Sequence, residues 1–586
     1  MTHMLSTSLP KPNPSLQIIE FSFTAIALAM AFTWPGFGGG LFARIERVFS
    51  RLARRKTLSV ACVGLSVLVL RLAMLPLYPI PLPFCPDDFS FLLAAKTFAL
   101  GRLTNPTPLM WTHFESIHIT MQPTYMSMYF PGQALILAAG KVVLGNPWYG
   151  VLIVSALMCA ALCWMLQAWL PPNWALLGGL IAVLRLGVFS YWTNTYHSGG
   201  ALAALGGALV LGALPRLTKT ARFRYGLLIG IGMAILALTR PYEGVLLGLP
   251  VAYTLLRWIR EGKNCPSAAV LVRQAAIPVL VIVATGAWLG YYDYKAFGSP
   301  TTLPYTVDRK AYAIAPYYIW QHDRPEPAYR HAMMRKFYHE GELKFAVKVH
   351  SWKGFIPGTI LKISLFLLFY AGFALLPPLL MIRRIFLDRR IRFLVWSIVL
   401  LAAGMVIEIF LLPHYVAPFT AAFYAIGLQA MRHLRLWRPE GKPVGLTLAR
   451  YTVTVCVVMA GVRLFAQPLH IAAAEWPASN WNFTWYGPEH YGVPRAKVEA
   501  ELESLPGKQL VIVRYADDHN PFDEWVYNAP DIDDSKVVWA REMSPEDNLE
   551  LIRYYVHRKV WLVQPDTIPA SLSPYPIPGQ ARAAAH

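Results

Sequence analysis

Residues Thr57–Leu77 read TLSVACVGLSVLVLRLAMLPL, with Arg71 as the one charge, and Pro83-Phe84-Cys85-Pro86-Asp87-Asp88-Phe89 follows almost at once. A helix needs about 20 predominantly apolar residues to cross the hydrocarbon core of a bilayer. In lipid only a helix or a closed barrel satisfies its own backbone. The stretch therefore predicts a membrane-crossing helix that ends at a water boundary, with two adjacent carboxylates just beyond it.

The same signature recurs along the chain. Of 586 residues, 55% are hydrophobic and 15% charged, with a mean hydropathy of +0.40, whereas an ordinary soluble domain is about 25% charged. A soluble enzyme and a disordered or collagen-like chain are both excluded. The net charge of +20 reads as basic cytoplasmic loops, not as a nucleic-acid surface. The six cysteines, Cys62, Cys85, Cys159, Cys163, Cys265 and Cys456, show no metal-ligand spacing, so neither a disulfide framework nor a zinc site is expected.

Orientation follows from five basic clusters, Arg44–Lys56, Arg216–Arg224, Arg257–Arg273, Arg383–Arg392 and Arg432–Arg450, all of which belong in the cytoplasm. One threading satisfies them together, with spans near 57-78, 148-170, 174-191, 198-215, 224-240, 243-259, 270-291, 357-382, 392-412, 415-431 and 450-466. It requires 131-145, short and carrying Lys141, to lie in the interface without crossing. The stretch Ile18–Trp34 has its positive charges after the apolar run, the reverse of a secretory signal, and is read as an uncleaved span. The expected fold is thus a polytopic all-α membrane protein of eleven or twelve transmembrane helices with a small C-terminal α/β domain. Its parts are a segment 1-56, a transmembrane domain 57-466 with outer loops 79-147 and 292-356, and an outer-face domain 467-586. In the last, 509-513, 536-539 and 559-563 read as strands and 545-556 as a helix. It contains no Walker loop, dinucleotide fingerprint, HExxH or GxSxG.

Working outward from Asp87 and Asp88, residues Phe89–Leu100 read as an amphipathic helix with an Asp as N-cap and Gly101 as terminator. A cap is the plain reading of such a pair, and for an isolated Asp-Asp it is the better one. The context changes that. A strongly apolar span, an outer loop opening on acidic residues and an aromatic, a second interfacial helix opened by Tyr129-Phe130-Pro131-Gly132-Gln133, then many spans and an outer C-terminal domain resemble the GT-C superfamily of membrane glycosyltransferases. The branch containing protein O-mannosyltransferases and lipid A aminoarabinose transferases is the most similar. The resemblance covers roughly 57 to 430 and rests on short motifs. It implies an inverting transferase that moves a sugar from a polyprenyl-phosphate donor to a lipid, glycan or protein acceptor, with Asp87 as catalytic base and Asp88 at the second acidic position. It also implies the bacterial inner membrane and an active site facing the periplasm or exterior. Inversion calls for one carboxylate opposite the leaving phosphate, and a phosphate leaves as an anion without a general acid.

Cations that would meet that phosphate are Arg240, in Leu238-Thr239-Arg240-Pro241-Tyr242-Glu243, and Arg185, inside an apolar span where an arginine costs about 2.5 to 3.5 kcal/mol on insertion scales. Snorkelling to the headgroups is the plain alternative for Arg185, and headgroup anchoring for Arg71, Arg102 and Lys141. The chain departs from the family pattern in two places. Phe130-Pro131-Gly132 stands where relatives carry a Lys before Pro-Pro, and His414-Tyr415-Val416-Ala417-Pro418 where they carry Arg-Tyr-x-x-Pro. Arg240 is the substitute for the lost Lys, with His414 and Tyr415 beside the phosphate. Further candidates for substrate contact are His113, Glu115, Gln133, Asn194, His197 and Glu243. Glu243 and Glu408 are also potential arginine partners. His113, Glu115 and His118 are spaced so that a divalent metal ion is conceivable, although solvated surface histidines are commoner. No other cofactor is indicated. The expected partners are the polyprenyl-phosphate sugar, membrane lipids and an envelope acceptor, with no nucleic acid. The rival class is a secondary transporter or lipid flippase, but the sequence shows no self-similar halves of the kind transporters carry.

The threading predicts that a single cysteine at Asn520 reacts with impermeant reagents from the non-cytoplasmic side of sealed vesicles while one at Gly441 does not. The opposite pattern would put Asp87 in the cytoplasm.

Overall fold

A computed structural model describes residues 16–261, 266–466, 468–471 and 492–576. Cys265, much of the segment between the bundle and the C-terminal sheet, and the last ten residues lie outside the described residues. Among the described residues, seven helices are long and apolar enough to cross a membrane: Leu16–Thr33, Lys56–Ala73, Trp148–Trp169, Gly200–Thr220, Ala268–Phe297, Trp352–Tyr370 and Val444–Leu464. Shorter apolar helices cover Gly132–Leu144, Pro172–Val188, Phe223–Thr239 and Arg392–Val406. With Pro241–Glu261 and Thr420–Arg435, every expected span contains a helix, and the chain is an integral membrane protein with a small C-terminal sheet.

Small residues let these helices meet at backbone distance, as membrane packing requires in place of a hydrophobic drive between helices. A Cβ on Gly207 would stand 1.7 Å from the carbonyl oxygen of Pro418, and one on Gly150 2.1 Å from that of Ile136. The second contact lays Gly132–Leu144 across the start of Trp148–Trp169. The opposite end of that short helix touches Leu238 and Thr239, so both its ends sit at one end of the bundle, as an interfacial helix must.

Two expectations are corrected. The span placed at 357-382 is not continuous: the helix Trp352–Tyr370 stops where Phe369 packs on Trp192, and the chain continues through a turn, the 3₁₀ segment Pro377–Met381 and the short helix Ile382–Leu387. The internal Pro377-Pro378 pair cannot supply backbone N–H groups for an α-helical ladder. The acidic helix spans Pro86–Ala99 with Cys85 as its N-cap, so Asp87 and Asp88 lie in its first turn and neither caps it. Pro86, pre-set for a first helical position, shifts the start upstream.

The C-terminal region forms a four-stranded sheet in the order 537–541, 508–513, 558–564, 571–574, parallel except for the last pair, with helices Gly492–Ser504 and Pro545–Tyr554. The terminal strand and the first of these helices carried no clear sequence period. The sheet docks on the acidic helix and the loop that follows it. Phe89 stacks on Tyr527 at 4.6 Å, Arg495 lies over the Phe89 ring, and Tyr125 Oη donates to the carbonyl of Asn528.

Arg185 is buried, and Glu20 accepts its Nη1 at 3.0 Å, while the carbonyls of Leu368 and Phe369 accept from Nη2. Arg463 reaches the other oxygen of Glu20 at 3.5 Å. One carboxylate on the first helix thus compensates two arginines deep in the bundle and ties that helix to the last one. Removing one partner of a buried pair typically costs about 3–5 kcal/mol. Glu20→Gln is therefore expected to lower the thermal midpoint of the detergent-solubilised protein sharply; unchanged melting would show that the first helix is held by apolar packing alone.

Candidate active site

Successive residues of an α-helix point about 100° apart, so two adjacent aspartates in one turn cannot serve one surrounding. Asp88 turns into the protein and is fully buried. Its Oδ1 accepts from the backbone N–H groups of Tyr196 and His197, each at 3.0 Å, and pairs with His197 Nδ1 at 2.8 Å, while Oδ2 takes the N–H of Phe84 at 3.4 Å. The loop it grips passes through positive φ at Ser198 and Gly199, and at Gly200 a Cβ would overlap the Trp192 ring at 2.4 Å. The glycines are there for that close turn.

Asp87 faces the other way, with a quarter of its side chain exposed. Its Oδ1 receives both His118 Nδ1, at 2.7 Å, and the hydroxyl of Tyr129. Among the described residues no donor reaches Oδ2. Burial opposes ionisation of Asp87, but His118 and Tyr129 outweigh it and hold the carboxyl well below the usual carboxylate range. Burial likewise disfavours the His118 cation, yet the charge of Asp87 raises its pKa above the ordinary imidazole value. Tyr129 is stacked on Phe91 at 4.4 Å, which fixes the ring.

The cleft continues through tyrosines. Tyr305 meets Tyr129 edge-on at 5.6 Å, and its hydroxyl and that of Tyr415 each feel both Asp87 and Arg240. Arg240 lies over the Tyr415 ring at 4.3 Å and donates to the carbonyl of Ser198 at 3.4 Å. No direct ion pair joins it to Glu243, although Glu243 and Glu408 act on it electrostatically. His414 Nδ1 pairs with Tyr191 Oη at 2.8 Å, and Tyr191 stacks on His197, so the Asp88 clamp and the Arg240 wall share one network. Behind His118, the buried Asp308 accepts from Tyr338 at 3.3 Å through Oδ2, and its other oxygen has no partner among the described residues. Burial pushes its pKa up to about 6.

Of the residues singled out from sequence, Asp87, Arg240, Tyr415, His414 and Glu243 come together around this cleft, and Asp88, His197 and Gln133, which donates to the carbonyl of Tyr196 at 3.1 Å, support its wall. Asn194 is placed lower, holding Arg71 Nε at 2.8 Å. Arg185 belongs to the Glu20 network and does not join Arg240. His113 and Glu115 are held elsewhere: His113 Nδ1 pairs with the carbonyl of Arg541 at 3.2 Å, and the Glu115 carboxylate accepts from Tyr312 Oη at 3.0 Å and Arg330 Nη1 at 3.2 Å, while its backbone carbonyl accepts from Arg541 Nε at 2.5 Å. The metal set His113, Glu115 and His118 is therefore not assembled, because His118 is committed to Asp87. Cys85, Asp88 and His197 do converge within 4.8 Å, but Asp88 Oδ1 already accepts three donors, one of them His197 Nδ1, so the set is saturated as a clamp. Sequence reasoning missed Tyr129 as a ligand of the acid, and Tyr305 and Asp308 altogether; the one available signal was the tyrosine density of the outer loops.

No family model and no curated protein matches the chain. Among solved structures it is similar to ArnT from Cupriavidus metallidurans bound to undecaprenyl phosphate, at 14% identity over 86% of this chain and 92% of that one, with a TM-score of 0.46. It is also similar to the oligosaccharyltransferase of Archaeoglobus fulgidus in a complex with Zn and sulfate, at 11% identity over 86% and 67% of the two chains, with a TM-score of 0.45. At these values the chemistry of the cleft has to be derived from its own residues.

The Asp87–His118 contact has a defined pH window. His118, raised in the folded state, contributes stability that is full below its unfolded value of about 6.5 and is lost as pH rises through the folded value. The melting difference between wild type and His118→Asn is expected to be largest in mildly acidic buffer and to shrink at alkaline pH. A difference that grows with pH would mean that His118 sits there neutral.

Proposed function

We propose that this protein is an inverting membrane glycosyltransferase of the GT-C kind that moves a sugar from a polyprenyl-phosphate donor to an acceptor hydroxyl on the outer face of a bacterial inner membrane. The observation that carries the reading is the division of labour in the acidic pair: Asp88 is buried and saturated, while Asp87 keeps a quarter of its side chain exposed, takes His118 and Tyr129 on one oxygen, and has tyrosines between it and Arg240.

In the reaction, the acceptor oxygen attacks the anomeric carbon, its proton passes to Asp87 Oδ2, and the bond between that carbon and the phosphate oxygen breaks with its electron pair going to the phosphate. Two donors on Oδ1 fix the carboxylate in orientation and leave Oδ2 to face the acceptor. A base with a depressed pKa stays ionised into the acid range, and it suffices because the hydroxyl acidifies only as its new bond forms. Arg240 offers a planar fork to two phosphate oxygens, and a charge-assisted contact there stabilises the departing anion. The tyrosine faces supply flat surfaces on which a sugar ring can stack. The envelope acceptor, the sugar and the length of the lipid carrier are set by contacts outside this core of residues.

Three substitutions test this with purified protein and a tritiated polyprenyl-phosphate sugar. Asp87→Asn is expected to lower turnover by about two to four orders of magnitude with donor binding retained. Asp88→Asn is expected to cost less turnover and more thermal stability. Arg240→Gln is expected to weaken both binding and turnover, and Arg240→Lys to retain part of each. A large loss at Asp88 with little at Asp87 would assign the base to the wrong carboxylate, and normal donor use by Arg240→Gln would remove Arg240 from the phosphate.

A further inference from the structure

At the end of the bundle opposite the acidic pair, the helices Lys56–Ala73, Trp148–Trp169 and Gly200–Thr220 part around a cavity of about 540 Å³ whose walls include Lys56, Trp164, Gln167, Arg216, Lys219 and Tyr225. Lys56 and Arg71 are fifteen residues apart on one helix, about 22 Å at 1.5 Å per residue, and Arg71 already lies below the Asp88 clamp. The cavity is thus separate from the cleft described above.

Its arginine is held in place. Arg216 stacks over the Trp164 ring at 4.2 Å and donates to the carbonyls of Gly212 and Trp164 at 2.6 and 2.8 Å. Gln167 Nε2 donates to the carbonyl of Lys56 at 2.9 Å, fixing the facing wall. Arg224 donates to Tyr225 Oη at 3.0 Å and brings a fourth positive charge against the rim.

These cations also lack compensation. No Asp or Glu occurs between Glu46 and Asp87 or between Glu115 and Glu243, so none of the three wall helices carries a carboxylate. Among the described residues, none of Lys56, Arg216, Lys219 and Arg224 enters an ion pair, whereas other basic residues expected at this end do: Arg435 and Arg450 pair with Glu46, and Arg257 with Glu261. Like charges gathered in a concave site with low-dielectric walls raise the local potential and concentrate counter-ions. The walls are amphiphilic as well, with Val60, Ala168 and Pro215 beside the cations.

We propose that this cavity is a binding site for a phosphate-bearing anion, with the three wall cations as its ligands. Basic pockets between transmembrane helices on the cytoplasmic side suit anionic lipid headgroups, and the apolar part of the wall fits the start of an acyl chain. A free phosphate compound would use the same cations without the apolar wall.

The test uses the full chain in neutral detergent, with phosphatidylglycerol, phosphatidylcholine and inorganic phosphate as probes, read by thermal midpoint and by native mass spectrometry of retained molecules. The reference variant is Lys56→Gln with Lys219→Gln, two exposed side chains whose replacement leaves the packing intact. Phosphatidylglycerol is expected to stabilise the wild type saturably and to be retained, phosphatidylcholine not, and the variant to bind phosphatidylglycerol about tenfold or more weakly. Equal stabilisation by inorganic phosphate, lost in the variant, would keep the site and assign it to a soluble phosphate compound. Equal response to the two lipids, or a phosphatidylglycerol shift that the variant retains, would overturn the proposal.

Discussion

The buried carboxylate of Asp88 is the contact on which the cleft depends. It gathers two backbone N–H groups and an imidazole from the 196–197 turn and so fastens the acidic helix to one end of the bundle. A buried carboxylate is tolerable only when hydrogen-bonded on this scale, since an unsatisfied one is costly. With the helix fixed at that point, its 100° step per residue leaves Asp87 one available direction, toward His118 and Tyr129. The orientation of Asp87 therefore follows from the saturation of its neighbour.

The C-terminal sheet secures the same helix from the other side. Buried Arg541 donates to Glu524 Oε2 at 2.7 Å as well as to the Glu115 carbonyl, and Ser116 Oγ donates to the same Glu524 oxygen at 3.1 Å. That network ends two residues before His118, which itself stands at φ 64°, a backbone state that non-glycine residues seldom adopt. The strain at His118 is sustained by fixed segments on both sides, and through it the sheet bears on the side chain that sets the charge of Asp87. Through these contacts the domain contributes to the position of His118.

What was legible in the sequence follows from the range of the physics. Apolar length imposes itself locally, so the helices are found where hydropathy puts them, and Asp87 and Arg240 stand out as charges at span ends. Proline chemistry was readable but underweighted: Pro86 moves the helix start, and Pro377-Pro378 breaks a span. Contacts between distant segments were not legible. Nothing local distinguishes His118, which meets Asp87, from His113, which meets Arg541. Arg185 looked like a ligand because an arginine in an apolar run is expensive, and the expense is met by Glu20, 165 positions earlier. Tyr129 and Tyr305 each pass individually for members of an interfacial belt.

The distribution of carboxylates along the chain gives the two ends of the bundle different electrostatic characters. At the end that carries the acidic pair, Arg240 stands among Glu243, Glu408 and the tyrosines, so its field is tempered by neighbouring acids. Under the proposed reaction such tempering is useful, because a phosphate held too firmly in the ground state would not be released after transfer; only contacts that strengthen toward the transition state speed the chemistry. At the other end, Lys56, Arg216 and Lys219 face a cavity whose walls hold no acid, and an anion there would be bound without any opposing charge. Under the two proposals a site of turnover and a site of retention differ in this way, and the same acid-free stretch from 116 to 242 that leaves the other cavity uncompensated ends, at Glu243, where the compensation of Arg240 begins.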